Sequence, residues 1–494
     1  ESSREGVRVV VDLKRDASPE VVLNQLWRYS PAQASFPANM LAIRGGRPEV
    51  LALRDIIQAF ISFREQVITR RTKFELNKAR DRAHILLGLV VAVSNLDEVV
   101  ANPRLGQQPV EEGGQLRIEE PDGNTVHVGQ PGTGPEGGVI VLKDWRTYSM
   151  MMSGGALGAA EAYMEKGWDS PDLVRVVRFF AANINAMKSL ESGLARLSKP
   201  ALALLHRHNR NSLQGSRRNI AAHYDLGNDF FALFLDRTMM YSSAIFPSAD
   251  TSLEDASEYK MEKICQRLEL QAGMSLLEVG TGWGGLALHA ARHHGVHVTT
   301  TTISREQARY AREQVARAGL TDRITILEKD YRELEGQYDR VVSVEMIEAV
   351  GAEFLPGYFR MLGERLKPDG KLLLQAITVP DQRYDHARRQ VDFIKRYIFP
   401  GGFLPSVSVM QEHLTRHTSL VTTELADIGM DYARTLHHWR ERYIAALPDI
   451  RALGFDEHFL RMWNYYLCYC EGAFIERAIS TVHLVAAGPE WRGS

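Results

Sequence analysis

The segment "LLEVGTGWGGLALHAA", Leu276 to Ala291, decides the fold. A short apolar run carrying an acid, Glu278, leads into Gly280, Gly282, Gly284 and Gly285, and a helix-like stretch opens near Leu286. Glycines crowded at a strand–helix junction let the backbone approach a nucleotide. The spacing Gly280-x-Gly282-x-x-Gly285 also suits a dinucleotide loop. A dinucleotide fold, however, wants an acid about 20 residues on, at the end of its second strand, to hold a ribose. Here that strand, "HVTTTTIS", ends in threonines. An acid two residues ahead of the first glycine is instead the habit of folds that bind S-adenosylmethionine. There the loop meets a carboxypropyl amine and a sulfonium rather than a pyrophosphate.

Working outward, the chain keeps a strand–helix rhythm, the pattern of a doubly wound parallel sheet. "SREQARYAREQVARAG" spaces its charges as a helix does, and "ITILEKDYREL" is a strand followed by Asp330 and Tyr331. "YDRVVSVEMIEAVG" is a fourth strand, and "GYFRMLGERLKPDGKLLLQAIT" reads as a helix, a Pro-Asp-Gly turn and a fifth strand. Glu278, Asp330 and Glu348 are therefore expected near the carboxyl ends of strands, where ligands of such sheets bind.

Composition bounds the rest. At 494 residues, two or three domains are expected, and 45% hydrophobic with 24% charged residues is a globular balance. A formal net charge of -2 gives no general attraction to nucleic acid. Cys265, Cys468 and Cys470 form no zinc or redox motif, so no metal site is expected and a reducing compartment is. The longest apolar run, Ile85 to Val93, falls far short of the ~20 residues of a spanning helix. A cytoplasmic protein is the expectation.

Two stretches precede the glycine loop. Phe63 to Val100 reads as one long charged, amphipathic helix. With the preceding "GVRVVVDLKRDASPEVVLNQLWRYSPAQASFPANMLAIRGGRPEVLALRDII" it resembles the A subunit of DNA gyrase, in the part leading into the coiled-coil arm. That family cuts DNA with a tyrosine in an upstream winged-helix region whose pattern is absent here, so cleavage is not carried over and no DNA partner is expected. The resemblance stops near Ala101, which reads as a fusion, natural or artefactual. From Gly114, "QLRIEEPDGNTVHVG" alternates about a Pro-Asp-Gly turn as a hairpin would, and "GGVIVLKDW" is a further strand. Two helices broken near Gly167 to Pro171 complete a small α+β docking module. "SKPALALLHRHNRNSLQGSRRN", from Ser198, is a basic connector suited to an anionic membrane surface.

The segments "AAHYDLGNDFFALFLDRTMMYSSAIFP", "LLEVGTGWGGLA", "TTISREQ", "KDYREL", "SVEMIEAVG" and "KRYIFPGGFLPS" together resemble the cyclopropane-fatty-acyl-phospholipid synthases. "QAITVPDQRYDHARRQVDFIKRYIFPGG" looks most like the branch that includes the plant enzymes. The resemblance implies methyl transfer from S-adenosylmethionine to a cis double bond of a phospholipid acyl chain, followed by loss of a proton that closes a cyclopropane ring. For the cofactor it implies Tyr241, Ser242, Glu278, Gly280 and Gly282 at the methionine end. Thr302, Ile303 and Gln307 fall beside the ribose and adenosine, and Asp330 with Tyr331 at the adenine. For the base it implies a bicarbonate ion held by Glu348, Tyr432, Gln375 and the backbone carbonyls of Ile377 and Ser243. Gln375 stands where many bacterial members have histidine. An amide can hydrogen-bond an anion but does not titrate near neutral pH, which leaves methyl or methylene branching without ring closure as an alternative. His223, Tyr224, Asp225 and Asn228 are expected to organise a lid and lipid entrance, whereas Phe230, Phe231, Phe234 and Phe246 read more as core.

The expected fold class is α/β: a doubly wound, Rossmann-like S-adenosylmethionine methyltransferase domain over 198–494. It is preceded by a gyrase-like helical arm fragment over 1–100, a linker over 101–113 and the small α+β module over 114–197. Expected partners are unsaturated phospholipid acyl chains, with peripheral membrane association and, by family analogy, a homodimer. Two further alternatives stay open: a non-catalytic DNA-associated protein acting through the gyrase-like segment, and a methyltransferase for a small amine or hydroxyl.

Overall fold

The computed structural model describes residues 2–3, 6–7, 9–32, 34, 40–44, 47–72, 114–130, 137–184 and 226–493. The chain divides into two compact units, Glu1–Asp81 and Arg82–Ser494. In the first, Pro19 opens a helix, Pro19–Tyr29, at the position where its missing N–H costs nothing. That helix buries none of its residues, and Leu23 and Trp27 lie exposed. An antiparallel pair, Leu41–Arg44 with Arg47–Val50, and a helical run over 53–72 follow. The expected helix of Phe63 to Val100 is thus seen through residue 72, and its remainder lies outside the described residues.

The second unit begins with the small module. Gly114–Glu119 and Thr125–Gln130 pair antiparallel about a turn in which Gly123 takes φ 87°. Val139–Leu142 adds in parallel to Gly114–Glu119, and Trp168–Asp169 pairs antiparallel with Val139–Leu142. The helices Arg146–Met164 and Leu173–Ala182 flank that last strand, and Asp172 caps the second by accepting from the Arg175 N–H. The module is tied down by side chains from the far end of the chain. Arg461 donates to the carbonyls of Tyr163 at 2.6 Å and Trp168 at 2.9 Å, and Arg178 pairs with Glu476 at 2.6 Å.

The large sheet has seven strands: β1 Ser275–Val279, β2 His297–Thr301, β3 Ile324–Leu327, β4 Tyr338–Val344, β5 Leu366–Thr378, β6 Val421–Asp427 and β7 Ser480–Ala487. Their spatial order is β3-β2-β1-β4-β5-β7-β6. Strands β1 to β5 run parallel, and β7 inserts antiparallel between β5 and β6. Apolar runs such as "LLL" in β5 fit strands covered on both faces by helices. The helices are α1 Leu253–Arg267, α2 Gly285–His294, α3 Arg305–Arg317, α4 Leu355–Arg365, α5 Val407–His417, α6 Gly429–Ala445 and α7 Glu457–Ile475. Ser252, Ser304, Ser406 and Asp456 cap α1, α3, α5 and α7 by accepting an N–H from the first turn, which fixes where each helix starts.

The doubly wound α/β reading therefore holds, with one local correction. Pro368-Asp369-Gly370 does not separate a helix from a strand but lies inside β5. The pairing of β4 with β5 jumps from Tyr338↔Leu366 to Arg340↔Lys371, and this irregularity absorbs the extra residues.

Because β1 has β2 on one side and β4 on the other, the chain reverses direction of winding there. The crevice beyond the carboxyl ends of β1 and β4 is the place where such sheets bind ligands. Phe230, Phe231 and Phe234 are fully buried against Trp463, so these aromatics are core. Among the described residues, no helix is long and apolar enough to cross a membrane.

Candidate active site

The glycine loop follows β1. Gly280 and Gly282 take φ of 106° and 51°, in the left-handed region that other residues adopt at a cost. The N–H groups of Gly280 and Thr281 both bond the Thr301 carbonyl, at 3.1 and 2.9 Å, which pins the loop to the end of β2. A Cβ on Gly280 would meet the Met346 side chain at 3.3 Å, whereas one on Gly282 would find open space. Behind the loop, Glu278 is buried, and its Oε2 has no hydrogen-bond partner among the described residues. Burial pushes this carboxyl up to about 8, against a hydrogen bond from Thr300 and the attraction of Lys260.

Other expected cofactor residues sit along the same edge. Thr302 donates to the Gln307 side-chain oxygen at 2.9 Å, so the end of β2 and the first turn of α3 are joined, with Ile303 between them. Asp330 is buried and caps the short turn Tyr331–Glu333 by accepting the Arg332 N–H at 3.0 Å. The Tyr331 ring meets Tyr358 edge-on, and the Arg332 guanidinium covers it at 4.8 Å. Tyr241 bonds Tyr466 through their hydroxyls at 2.9 Å, and Ser242 accepts from the buried Lys260 ammonium at 2.8 Å. His223, Tyr224 and Asp225 lie outside the described residues; the Asn228 side-chain oxygen accepts from the Trp283 indole at 2.7 Å.

The catalytic set has a different centre from the one expected. Ser243, Gln375 and Tyr432 do converge, but on the carboxylate of Glu345. The Ser243 N–H donates to its Oε1 at 3.0 Å, the Gln375 amide to the same oxygen at 2.7 Å, and the Tyr432 hydroxyl to its Oε2 at 2.8 Å. Ile377 presents its N–H, not its carbonyl, and donates it to Glu348 Oε1 at 2.6 Å. Glu348 Oε2 is buried with no partner among the described residues.

The two acids are pushed apart by their surroundings. Burial and then the Glu345 charge raise Glu348 to about 8, so at neutral pH it holds its proton. Burial also raises Glu345. Ser243, Tyr432, Lys260 and Gln375 oppose that, and the negative charge of the pair rests there. Lys260 is itself pushed down to about 8 by burial, against the pull of Glu345, Asp236 and Glu278.

Glu345, Lys260 and His483 are the residues that sequence reasoning missed. Glu345 had a signal: it stands three residues before Glu348, directly after an apolar strand. Lys260 looks like any helix lysine, and nothing local marks His483. Elsewhere, Cys265, His289 and His294 bring one potential metal-ligand atom each within 4.8 Å of one another. Both imidazoles bond Glu262, at 3.2 and 3.0 Å, which accounts for their placement without an ion.

A doubly wound sheet of this order, with a glycine loop and buried acids at its switch point, defines an S-adenosylmethionine-dependent methyltransferase. Residues 211–484 match the family model described as mycolic acid cyclopropane synthetase, and the chain belongs to that family. Residues 1–118 match the family model for the A chain of DNA gyrase/topoisomerase IV. The chain is 42% identical to the tuberculostearic acid methyltransferase UfaA1 of Mycobacterium tuberculosis, over 65% of this chain and 76% of that one. It is 39% identical to the cyclopropane-fatty-acyl-phospholipid synthase of Escherichia coli, over 70% of this chain and 87% of that one. The mycolic acid cyclopropane synthase CmaA1 complexed with SAH and CTAB superposes with TM-score 0.52 at 30% identity, covering 55% of this chain and 98% of that one.

Proposed function

We propose that this chain methylenates the cis double bond of an unsaturated phospholipid acyl chain at a membrane surface, giving a cyclopropane ring. The observation that carries the reading is the layout of one sheet edge. The glycine loop and the unpartnered Glu278 oxygen lie at the end of β1, and the Glu345–Glu348 pair lies beyond the end of the neighbouring β4. Around Tyr241 the wall is aromatic, with Trp439 at 5.3 Å and Phe399 at 6.5 Å between ring centroids. An apolar wall of this kind excludes water from a cation formed on the lipid.

The residues fit S-adenosylmethionine. A buried carboxylate oxygen without a partner suits its ammonium, and the left-handed Gly282 leaves room for its backbone approach. Bound there, it would supply an electrophilic methyl group. On this reading Tyr241, Ser242, Glu278, Gly280 and Gly282 hold the methionine end. Thr302, Ile303 and Gln307 hold the ribose and adenosine, and Asp330 and Tyr331 the adenine. They do not fit a bicarbonate ion, because the donors assigned to it already bond Glu345, and a second anion would lie against that charge. A gyrase-like segment to about residue 100, a linker, a docking module from Gly114 and a homodimer belong to the same reading.

A second reading is favoured by the 42% identity to a relative named as a methyltransferase: transfer to the alkene without ring closure. One assay separates them. The full chain is incubated with S-adenosylmethionine and vesicles of cis-unsaturated phospholipid, and the acyl methyl esters are analysed by mass spectrometry and proton NMR. A saturated product one CH2 heavier with upfield ring protons is expected. An olefinic product of the same mass gives the second reading, and no transfer to lipid overturns both.

A further inference from the structure

The place that the resemblance gives to a bicarbonate ion is filled by a side chain of the chain itself. Glu345 follows the last residue of β4, and its backbone sits at φ 46°, in the left-handed region where only glycine is at ease. Strain of that kind persists where surrounding contacts fix it. Here the Glu345 N–H bonds the Gln375 carbonyl at 2.8 Å, and its carboxylate takes three donors from three separate segments.

The orientation of those donors is determined. Arg267 can only donate, so at 2.6 Å it makes His483 Nδ1 an acceptor. The imidazole proton is then on Nε2, and it bonds Gln375 Oε1 at 2.8 Å. That contact leaves the Gln375 NH2 to face Glu345. Burial and the nearby Arg267 and Lys260 hold His483 well below the usual histidine range, in keeping with a neutral ring. A chain of three side chains thus commits the amide to a carboxylate.

We infer that Glu345 is the base for the transferred methyl group, in place of a free bicarbonate ion. The inference rests on the methyl-transfer reading above. The alkene π pair forms a bond to the methyl carbon while the S–CH3 pair returns to sulfur, leaving a thioether and a cationic lipid carbon. Glu345 accepts one proton from the new methyl group, and the C–H pair closes the second C–C bond. The net change is one CH2 added to the lipid and one proton released.

Two variants test this in the full chain, in buffers freed of carbonate and in buffers supplied with it. Wild-type ring formation should be the same in both. Glu345→Gln keeps the shape but cannot take the proton, and should lose about 10²–10⁴-fold in rate, unrescued by bicarbonate. Glu345→Gly vacates the cradle and suits the positive φ, so its melting temperature should not fall. It should lose the same rate and regain at least about tenfold with bicarbonate. A second readout needs no turnover: a 13C-bicarbonate titration followed by NMR should show binding to Glu345→Gly and none to wild type. Wild-type dependence on bicarbonate, bicarbonate bound by wild type, or a wild-type rate in Glu345→Gln would each overturn the inference. If wild type gives no lipid product, the methyl-transfer reading fails, and the NMR comparison still decides what occupies the cradle.

Discussion

The two sides of the sheet edge treat a buried carboxylate in opposite ways. At the end of β1, Glu278 keeps an oxygen without a partner, and at the end of β4, Glu345 has three donors on its two oxygens. An unpartnered buried charge is costly until a ligand answers it. A fully bonded one is ready for use with nothing added. The first is the mark of a binding group for a cation, and the second that of a resident anion.

Removing the unsatisfied acid should have a large effect on binding and the reverse effect on the unliganded fold. Glu278→Gln is expected to weaken S-adenosylmethionine by about 10–100-fold in calorimetry, the loss of a charged hydrogen bond. Its effect on stability has a definite sign. Glu278 titrates near 4.5 when unfolded and about 8 when folded. Its contribution is full below pH 4.5 and is lost as pH rises through 8. The wild-type melting temperature should therefore fall across that window, and Glu278→Gln should fall less. An unchanged slope and unchanged affinity would erase the contrast.

On the other side, Tyr432→Phe removes one of the three donors on Glu345. A carboxylate that loses a donor becomes easier to protonate. The acid limb of the kcat/KM profile should move to higher pH, with a drop of about tenfold at neutral pH. An unshifted limb would mean that Tyr432 packs without tuning the base. The smallest effect belongs to Gly282→Ala. Open space surrounds a Cβ there, so only the φ of 51° opposes it. About 1 kcal/mol of stability should be lost in chemical denaturation, with a few-fold loss of cofactor affinity.

The same contrast explains what is legible in the sequence. The cofactor side is built from local chemistry: strand, glycine loop, helix cap, all within a few residues. Gly280, Thr302 and Asp330 accordingly fall where the pattern places them. The other side is tertiary. Ser243, Gln375 and Tyr432 reach Glu345 across 102, 30 and 87 residues of chain, and no short-range pattern announces that meeting. Glu348, the acid the motif singles out, is instead the neutral neighbour. The Pro368–Gly370 turn misleads for a related reason, since only the pairing with β4 decides whether those residues end a strand or are absorbed by it. In the N-terminal unit, the helix Pro19–Tyr29 is capped by position and proline as its sequence suggests, yet it buries nothing. Local signals fix its start without giving it a core.

The most direct measurement uses S-adenosylmethionine with a fully deuterated methyl group, the wild-type chain and carbonate-free buffer, with the lipid product weighed by mass spectrometry. The account predicts a saturated acyl chain that retains two deuterons, formed at a rate that added bicarbonate does not raise. A product retaining all three deuterons, or none until bicarbonate is supplied, would contradict it.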